Sequence, residues 1–183
     1  MPLWLTILLV IAAILFVLWL VSLINRFVRY ENAIDNAWAQ IDVQLQRRGE
    51  LIPNLVETVK GYAKHEKAAI DSVTQARAAM MGATSREGKM KAEGILEQAL
   101  GKLFAIAEAY PDLKANTNFL SLQDELAHTE NKVAYSRQAY NDTVLRYNNA
   151  IETFPAKFFA GGRTEKPMLA VPEHTKAVPK VAF

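Results

Sequence analysis

The longest uninterrupted run of apolar positions lies near the N-terminus, from Leu3 to Ile24. It contains no charged side chain, and only Thr6 and Ser22 are polar. At about 1.5 Å per helical residue the run reaches roughly 33 Å, enough to cross the hydrocarbon core of a bilayer. A cleaved signal peptide would need a basic start, a shorter apolar core and a small-residue cleavage site, and the run lacks all three. The pattern therefore predicts a retained transmembrane helix.

After this segment, apolar positions recur with the three- and four-residue spacing of packed helices. The first series begins at Trp38, and its phase is kept as far as Met80. Pro53 interrupts it, because proline lacks an amide donor and its ring collides with the carbonyl of Gly49, four residues back. The first helix is therefore expected to be kinked or divided near Pro53.

Turn and capping signals divide the rest of the chain. Gly82 is typical of a helix end, and Thr84-x-x-Glu87 is typical of a capping box that opens the next helix. Tyr110-Pro111 breaks that helix, after which Asn116 or Asn118 can cap another. This last helix carries the longest periodic signal, and Pro155 is expected to end it.

The resulting prediction is an all-α chain, in which a single N-terminal transmembrane helix precedes an antiparallel up-and-down helical bundle. Four helices are favoured, with the first kinked or divided near Pro53; the alternative is a long kinked hairpin closed by a second copy of the chain. The expected domains are a transmembrane anchor with its basic flank (1–29), the bundle (30–155) and a proline-containing basic tail (156–183). The tail is expected to be loosely held, with Lys157-Phe158-Phe159 lying on the bundle or at the membrane interface as alternatives.

Charge is distributed unevenly along the chain. Residues 30–154 carry 14 basic and 17 acidic side chains, so the bundle lacks the basic face that nucleic-acid binding requires. Arg26 and Arg29 follow the apolar run directly, whereas no basic side chain precedes it. The positive-inside rule therefore places the N-terminus outside and the bundle in the cytoplasm, with a periplasmic bundle as the alternative.

No arrangement typical of an enzyme is present in the sequence. There is no cysteine, which excludes thiol nucleophiles, disulfides and thiolate metal sites. Glu125 and His128 have the spacing of half a di-iron site, but no second copy of that motif exists. His65-Glu66 lacks the remaining phosphotransfer motif. No catalytic residue, cofactor, metal or small-molecule substrate is therefore predicted.

Polar side chains within the apolar series are the main candidates for a site. Arg48 occupies one such position and needs a carboxylate from another helix, for which Glu57 and Glu130 are candidates. A polar network that fixes the helix register is favoured over ligand binding. The full set of candidate interaction or register residues is Trp38, Gln40, Asp42, Arg47, Arg48, Pro53, Asn54, Glu57, Gly61, Glu130, Asn131, Tyr140, Asn141, Tyr147 and Asn148.

Several of these residues also carry a family resemblance. The stretches 36–48 and 51–62, together with 110–115 and the terminal 179–183, resemble the LemA family of bacterial membrane proteins. So do the pairs Asn118-Phe119, Glu130-Asn131, Tyr140-Asn141, Tyr147-Asn148 and Phe154-Pro155. Gly49 departs from the pattern, because members often carry a bulkier polar residue there. The resemblance implies a short extracytoplasmic N-terminus, one anchor, a helical bundle and a link to membrane organisation, but no reaction.

Together these features predict a single-pass protein of the bacterial inner membrane that acts as a non-enzymatic scaffold or adaptor. Its partners would be the lipid bilayer and either other proteins or further copies of itself, bound through helix faces. A membrane-shaping or membrane-organising homo-oligomer is the alternative function. Metal binding and phosphotransfer remain as remote alternatives.

Overall fold

The computed structural model describes residues 2–170, and within that range it contains helices and no strands. Four of the helices are long, and α4 and the closing 3₁₀ helix are short. The elements are α1 (Leu3–Tyr62), α2 (Lys67–Gly82), α3 (Arg86–Ala107), α4 (Pro111–Lys114), α5 (Thr117–Glu152) and a 3₁₀ helix (Ala156–Phe159). The predicted all-α fold, with a long apolar N-terminal helix followed by further helices, is confirmed.

Pro53 lies inside α1 and does not divide it. Of the two expected outcomes at Pro53, a kinked or a divided helix, the division does not occur, and a hydrogen bond explains why. The proline cannot donate to the Gly49 carbonyl, but Arg77 Nε of α2 does so at 2.6 Å. Gly49 also lets α2 approach closely, because a Cβ there would lie 2.7 Å from Met81 Sδ. The helix therefore continues through the proline with its orphan acceptor satisfied.

The first break lies at residues 63–66 instead, where no proline or other strong breaker signals it. Two side-chain hydrogen bonds hold the chain on either side of the break. Asn116 Nδ2 donates to the Tyr62 hydroxyl at 2.9 Å, and the Tyr110 hydroxyl donates to Glu66 Oε1 at 3.0 Å. Both partners come from the connection between α3 and α5, so contacts distant in sequence stabilise this turn.

The other helix ends follow local capping chemistry. Helix α2 ends at Gly82, as expected. Helix α3 is capped by Ser85, whose hydroxyl accepts from the Gly88 amide at 3.0 Å, so the predicted capping residue Thr84 is wrong by one position. Asn116 Oδ1 accepts from the Phe119 amide at 3.0 Å and caps α5.

The described residues form two compact units. The first comprises residues 2–37 and 139–168, and the second comprises 38–138 and 169–170. The core of the second unit is built from the three- and four-residue series that begins near Trp38 and from apolar positions of α3 and α5. Its buried members include Ile41, Leu45, Ile52, Leu55, Val59, Val73, Ala76, Met80, Leu96, Leu103 and Leu126. The expected boundaries of anchor, bundle and tail stay predictions.

The apolar run in the first unit is helical from Leu3 onward and exposes its side chains. Leu3 is 77% exposed and Leu18 is 60% exposed, whereas the apolar series in the core of the second unit is buried. Helix α1 is the one helix of the described range that is long and apolar enough to cross a membrane. Exposed apolar side chains of this kind are typical of a lipid-facing helix.

Candidate functional site

A group of buried charged side chains lies in the core of the second unit. Arg48 of α1 is 2% exposed, and it donates through one terminal nitrogen to Glu93 Oε1 of α3 at 2.7 Å. Its other terminal nitrogen lies 3.5 Å from Glu130 Oε2 of α5. Arg137 of α5 is also buried and acts electrostatically on Glu93. We call Arg48, Glu93, Glu130 and Arg137 the Arg48 cluster.

Burial controls the electrostatics of this cluster. Desolvation raises the pKa of the Glu93 carboxyl above its ordinary value, and the Glu97 and Glu130 charges raise it further. Arg48 and Arg137 lower the pKa, but not enough to offset the desolvation. At Glu93, burial therefore outweighs the attraction of the two arginines, and the raised pKa favours the protonated carboxyl more than water does.

Arg48 is buried as its place in the apolar series predicted, but its main partner, Glu93, is not one of the two expected carboxylates. Glu57, one of the two expected partners, instead pairs with Lys60 at 2.9 Å on an exposed part of α1. Glu130 contacts Arg48 as expected, but at the longer distance of 3.5 Å. Glu93 could have been found from its place in the apolar series of α3. It begins a three- and four-residue series of buried positions that continues with Leu96, Ala99 or Leu100, Leu103 and Ala107.

The Arg48 cluster joins α1, α3 and α5 through ion pairs, in which Arg48 of α1 contacts one carboxylate from each of the other two helices. An arginine has donors only and stays protonated, so it can hold carboxylates but cannot accept a proton from a substrate. Arg48 Nε and Gln44 Oε1 are buried and have no hydrogen-bond partner among the described protein atoms. Sliding α1 by a turn would separate Arg48 from both carboxylates, and sliding α3 or α5 would separate it from one of them. This arrangement can therefore fix the register of three helices.

Ion pairs nearer the surface of the second unit involve other predicted residues. Arg47, the sequence neighbour of Arg48, pairs with Glu125 at 2.9 Å, and both are about half exposed. Asp42 pairs with Lys89 of α3. Glu125, considered above with His128 as half of a metal site, therefore binds an arginine. Among residues 2–170, no group of three or more His, Asp or Glu side chains is arranged to hold a metal ion.

The remaining predicted residues do not converge on one place. Trp38 is half-buried, with the Arg86 guanidinium 5.6 Å from its ring centre. Tyr140 and Tyr147 are buried. The exposed members are Gln40, Pro53, Asn54, Gly61 and Asn131, and the half-buried members are Asn141 and Asn148.

Asn148 takes part in a second group of contacts, within the first unit. Its amide nitrogen donates to the Lys166 carbonyl at 3.0 Å, and its amide oxygen accepts from the Lys166 amide at 2.9 Å. Arg163 donates to Glu31 Oε1 at 2.9 Å, and its guanidinium lies 5.2 Å from the centre of the Phe27 ring. We call these contacts the tail clasp. The expectation of a loosely held tail is wrong for residues 163–166, and the terminal motif 179–183 lies outside the described residues.

Tyr147 lies beside the same clasp. Its hydroxyl lies 3.4 Å from the Thr164 carbonyl, to which it can donate. Desolvation raises the pKa of this hydroxyl, and the nearby Glu31 carboxylate raises it further, although Arg163 lowers it. The phenol is therefore kept in its neutral, hydrogen-bonding form.

The chain is similar in sequence to a known family and to individual known proteins. The family profile of the LemA family matches residues 37–183. Protein LemA of Metamycoplasma hominis is 26% identical over 131 residues, which cover 71% of this chain and 60% of that protein. Magnetosome protein MamQ of Magnetospirillum gryphiswaldense is 24% identical over 177 residues, covering 82% of this chain and 65% of that protein.

The chain thus spans between 60% and 65% of the length of these curated relatives. Neither of their names denotes an enzyme. The apolar helix α1 and the two relatives identify a membrane-associated protein. Because the matched residues make up well over half of its length, the chain belongs to the LemA family.

Proposed function

We propose that this protein is a non-enzymatic scaffold or adaptor at the bacterial inner membrane. The observation that carries the proposal is that one helix, Leu3–Tyr62, contains both an exposed apolar segment and the buried Arg48 of the second unit. The apolar segment anchors the chain in lipid. The Arg48 cluster holds α1, α3 and α5 in one register, which gives a partner a fixed helical surface to bind.

The proposed orientation has the N-terminus outside and the second unit in the cytoplasm. Arg26 and Arg29 follow the apolar segment closely, and the positive-inside rule counts basic residues within about 15–20 positions of a span. A periplasmic second unit is the competing arrangement.

Because the chain contains no cysteine, single cysteines report topology without background. Pro2→Cys and Ser72→Cys place a thiol on either side of the span, and Ser72 is an exposed residue of α2. In intact cells whose outer membrane is permeable, a membrane-impermeant maleimide is expected to label Pro2→Cys but not Ser72→Cys. The reverse labelling pattern would show a periplasmic bundle.

Partners are expected to bind exposed helix faces of the second unit. Tyr135 of α5 is 75% exposed, and Ile95 of α3 is 51% exposed, whereas most large apolar residues of this unit are buried. An aromatic side chain left in water offers a strong anchor for a protein partner. Self-association through the same faces would make the protein a membrane-organising oligomer, and one of its relatives is a magnetosome protein.

Photo-crosslinking in living cells separates the two functions. A photoreactive phenylalanine replaces Tyr135, and the same residue at the exposed position Ser72 of α2 serves as the control. Adducts with other proteins that depend on position 135 would support a scaffold. Adducts that are multiples of this chain would support the oligomer. Equal yields from both positions would count against a specific surface on this face of α5.

A further inference from the structure

Three phenylalanines at the end of the first unit are arranged unusually for a water-soluble surface. Phe154 is 83% exposed and Phe158 is 76% exposed, and their rings pack edge to face with centres 6.0 Å apart. The intervening Lys157 is exposed as well. The apolar patch formed by Phe154 and Phe158 thus stands outside any core of the described chain.

Phe159 links this patch to the apolar segment of α1. Its ring centre lies 5.6 Å from that of Trp19 and 6.4 Å from that of Phe16, with both pairs edge to face. The tail clasp holds the chain that follows, through Arg163 and Glu31. Gly161 and Gly162 adopt φ values of 60° and 77°, so a glycine turn leads from the 3₁₀ helix into the clasp. The patch is therefore fixed beside the apolar segment.

The position of Trp19 along α1 indicates how deep in a bilayer Phe159 would lie. Trp19 precedes the end of the apolar run at Ile24 by five residues, about 7.5 Å along a helix. Amphipathic elements that lie in the membrane interface bury their apolar face by about 5–10 Å. A bilayer that covers the run as far as Ile24 therefore also covers the level at which Phe159 meets Trp19.

We propose that the patch of Phe154 and Phe158 inserts into the bilayer interface next to the transmembrane segment, so that residues 153–160 form a second membrane contact. The patch binds lipid. The rings of Phe154 and Phe158 contact the boundary between acyl chains and headgroups, and Lys157 extends its ammonium to the phosphates. Aromatic side chains are enriched at this depth in membrane proteins. The inference rests on the anchor of the proposed function and adds a lipid-binding surface contributed by the tail.

Tryptophan fluorescence in vesicles tests the proposal with the full chain. The three natural tryptophans are replaced by phenylalanine, and Phe158→Trp is introduced as the single emitter. The protein is reconstituted in phosphatidylcholine–phosphatidylglycerol vesicles, with and without lipids brominated on their acyl chains. Tyr135→Trp in the same background is the matched control, because Tyr135 is also an aromatic residue that is 75% exposed.

Brominated lipid is expected to reduce the emission of the Phe158→Trp indole by about twofold, with a blue-shifted maximum, as for an interfacial aromatic. The Tyr135→Trp control should stay unquenched. Equal, red-shifted and unquenched emission from both variants would overturn the proposal. So would a blue shift without quenching that grows with protein density, since it would identify a second copy as the occupant.

Two further variants keep the outcomes distinct. Phe154→Trp repeats the measurement at the other exposed ring, in case one substitution disturbs the segment. A chain that retains Trp19 alone reports the anchor itself. Quenching of Trp19 without quenching at positions 154 and 158 would refute only the second contact, whereas absence of quenching at Trp19 would refute the anchor as well.

Discussion

Two Arg–Glu ion pairs, one in each compact unit, have nearly equal lengths and different surroundings. In the second unit Arg48 lies 2.7 Å from Glu93, and their side chains are 2% and 4% exposed. In the first unit Arg163 lies 2.9 Å from Glu31, and their side chains are 22% and 35% exposed. Water screens the Arg163–Glu31 pair but not the Arg48–Glu93 pair. Losing one partner should therefore destabilise the fold much more at the buried pair than at the exposed one. Distance alone does not rank these contacts, and burial does.

The two pairs also do different work in the fold. The buried pair holds helices that meet through a core, where an uncompensated charge is strongly disfavoured. The more exposed pair helps to fasten a segment of the tail, where water can replace either partner. We therefore expect the Arg48–Glu93 pair to determine whether the second unit folds in one register. The Arg163–Glu31 pair should affect only how often the tail opens.

The largest effect is expected for Arg48→Met, which leaves the buried Glu93 without its main cation. The unfolding free energy of the full chain should fall by about 3–5 kcal/mol. Denaturant unfolding in detergent micelles, followed by circular dichroism, measures it. The double variant Arg48→Met/Glu93→Leu removes both charges and should regain most of the loss.

Arg47→Met provides the matched control for this prediction. Arg47 is the next residue along α1 and also pairs with a glutamate, but its side chain is 51% exposed. Its loss should cost less than about 1 kcal/mol. If Arg48→Met were as mild as Arg47→Met, burial would not distinguish the two kinds of ion pair.

A smaller, pH-dependent effect should come from Glu93 alone. Its pKa is raised in the folded chain, so the folded state binds the proton more tightly than the unfolded state. The stability it contributes is fully present below the unfolded pKa and is lost as pH rises through the raised folded pKa. The unfolding free energy of Glu93→Gln minus that of the natural chain should therefore increase as the pH rises above 4.5.

Denaturant titrations over a series of pH values test this sign. In an Arg48→Met background the dependence should extend to higher pH, because Arg48 lowers the pKa of Glu93. A difference between Glu93→Gln and the natural chain that shrinks with rising pH would mean that the folded protein favours the charged carboxylate. The cluster would then stabilise the fold directly.

These contrasts also show how far the sequence could go. The apolar series predicted the helices and placed Arg48 in the core, because a three- and four-residue period identifies the buried face without knowledge of the partner helix. Glu93 escaped notice because one charged residue at the start of a buried series resembles an exposed position. Pairing requires knowing which helices meet, and periodicity does not supply that.

Pro53 shows the same limit at the level of the backbone. Local chemistry favours a kink or a break there, since proline leaves the Gly49 carbonyl without its donor. The replacement donor, Arg77, is 28 positions away from Gly49. A contact so distant in sequence overrides the local preference, and the break is found at residues 63–66 instead. The tail clasp likewise could not be predicted from the sequence, because residues 163–166 are not helical and show no periodic pattern of apolar positions.

In the first unit, Asn148→Ala should produce the larger of two modest effects. The substitution removes two hydrogen bonds to the Lys166 backbone, each worth about 0.5–1.5 kcal/mol, so local opening should become easier by about 1–3 kcal/mol. Hydrogen exchange of a peptide containing Lys166, read by mass spectrometry, measures this opening. Asn149→Ala, at the exposed neighbouring position, is the control. Equal exchange in both variants would show that the asparagine does not hold the tail.

The smallest effect is expected for Arg163→Met. It removes a partly exposed ion pair and a cation–π contact with Phe27, together about 1 kcal/mol. Glu31→Gln should be similarly mild, because neither variant leaves a fully buried charge behind. Tail exchange in the two single variants and the double variant gives the coupling energy. The double variant could instead recover stability, as Arg48→Met/Glu93→Leu is expected to. The Arg163–Glu31 pair would then behave like the buried pair. Side-chain exposures of 22% and 35% would already be low enough to make an unpaired charge costly.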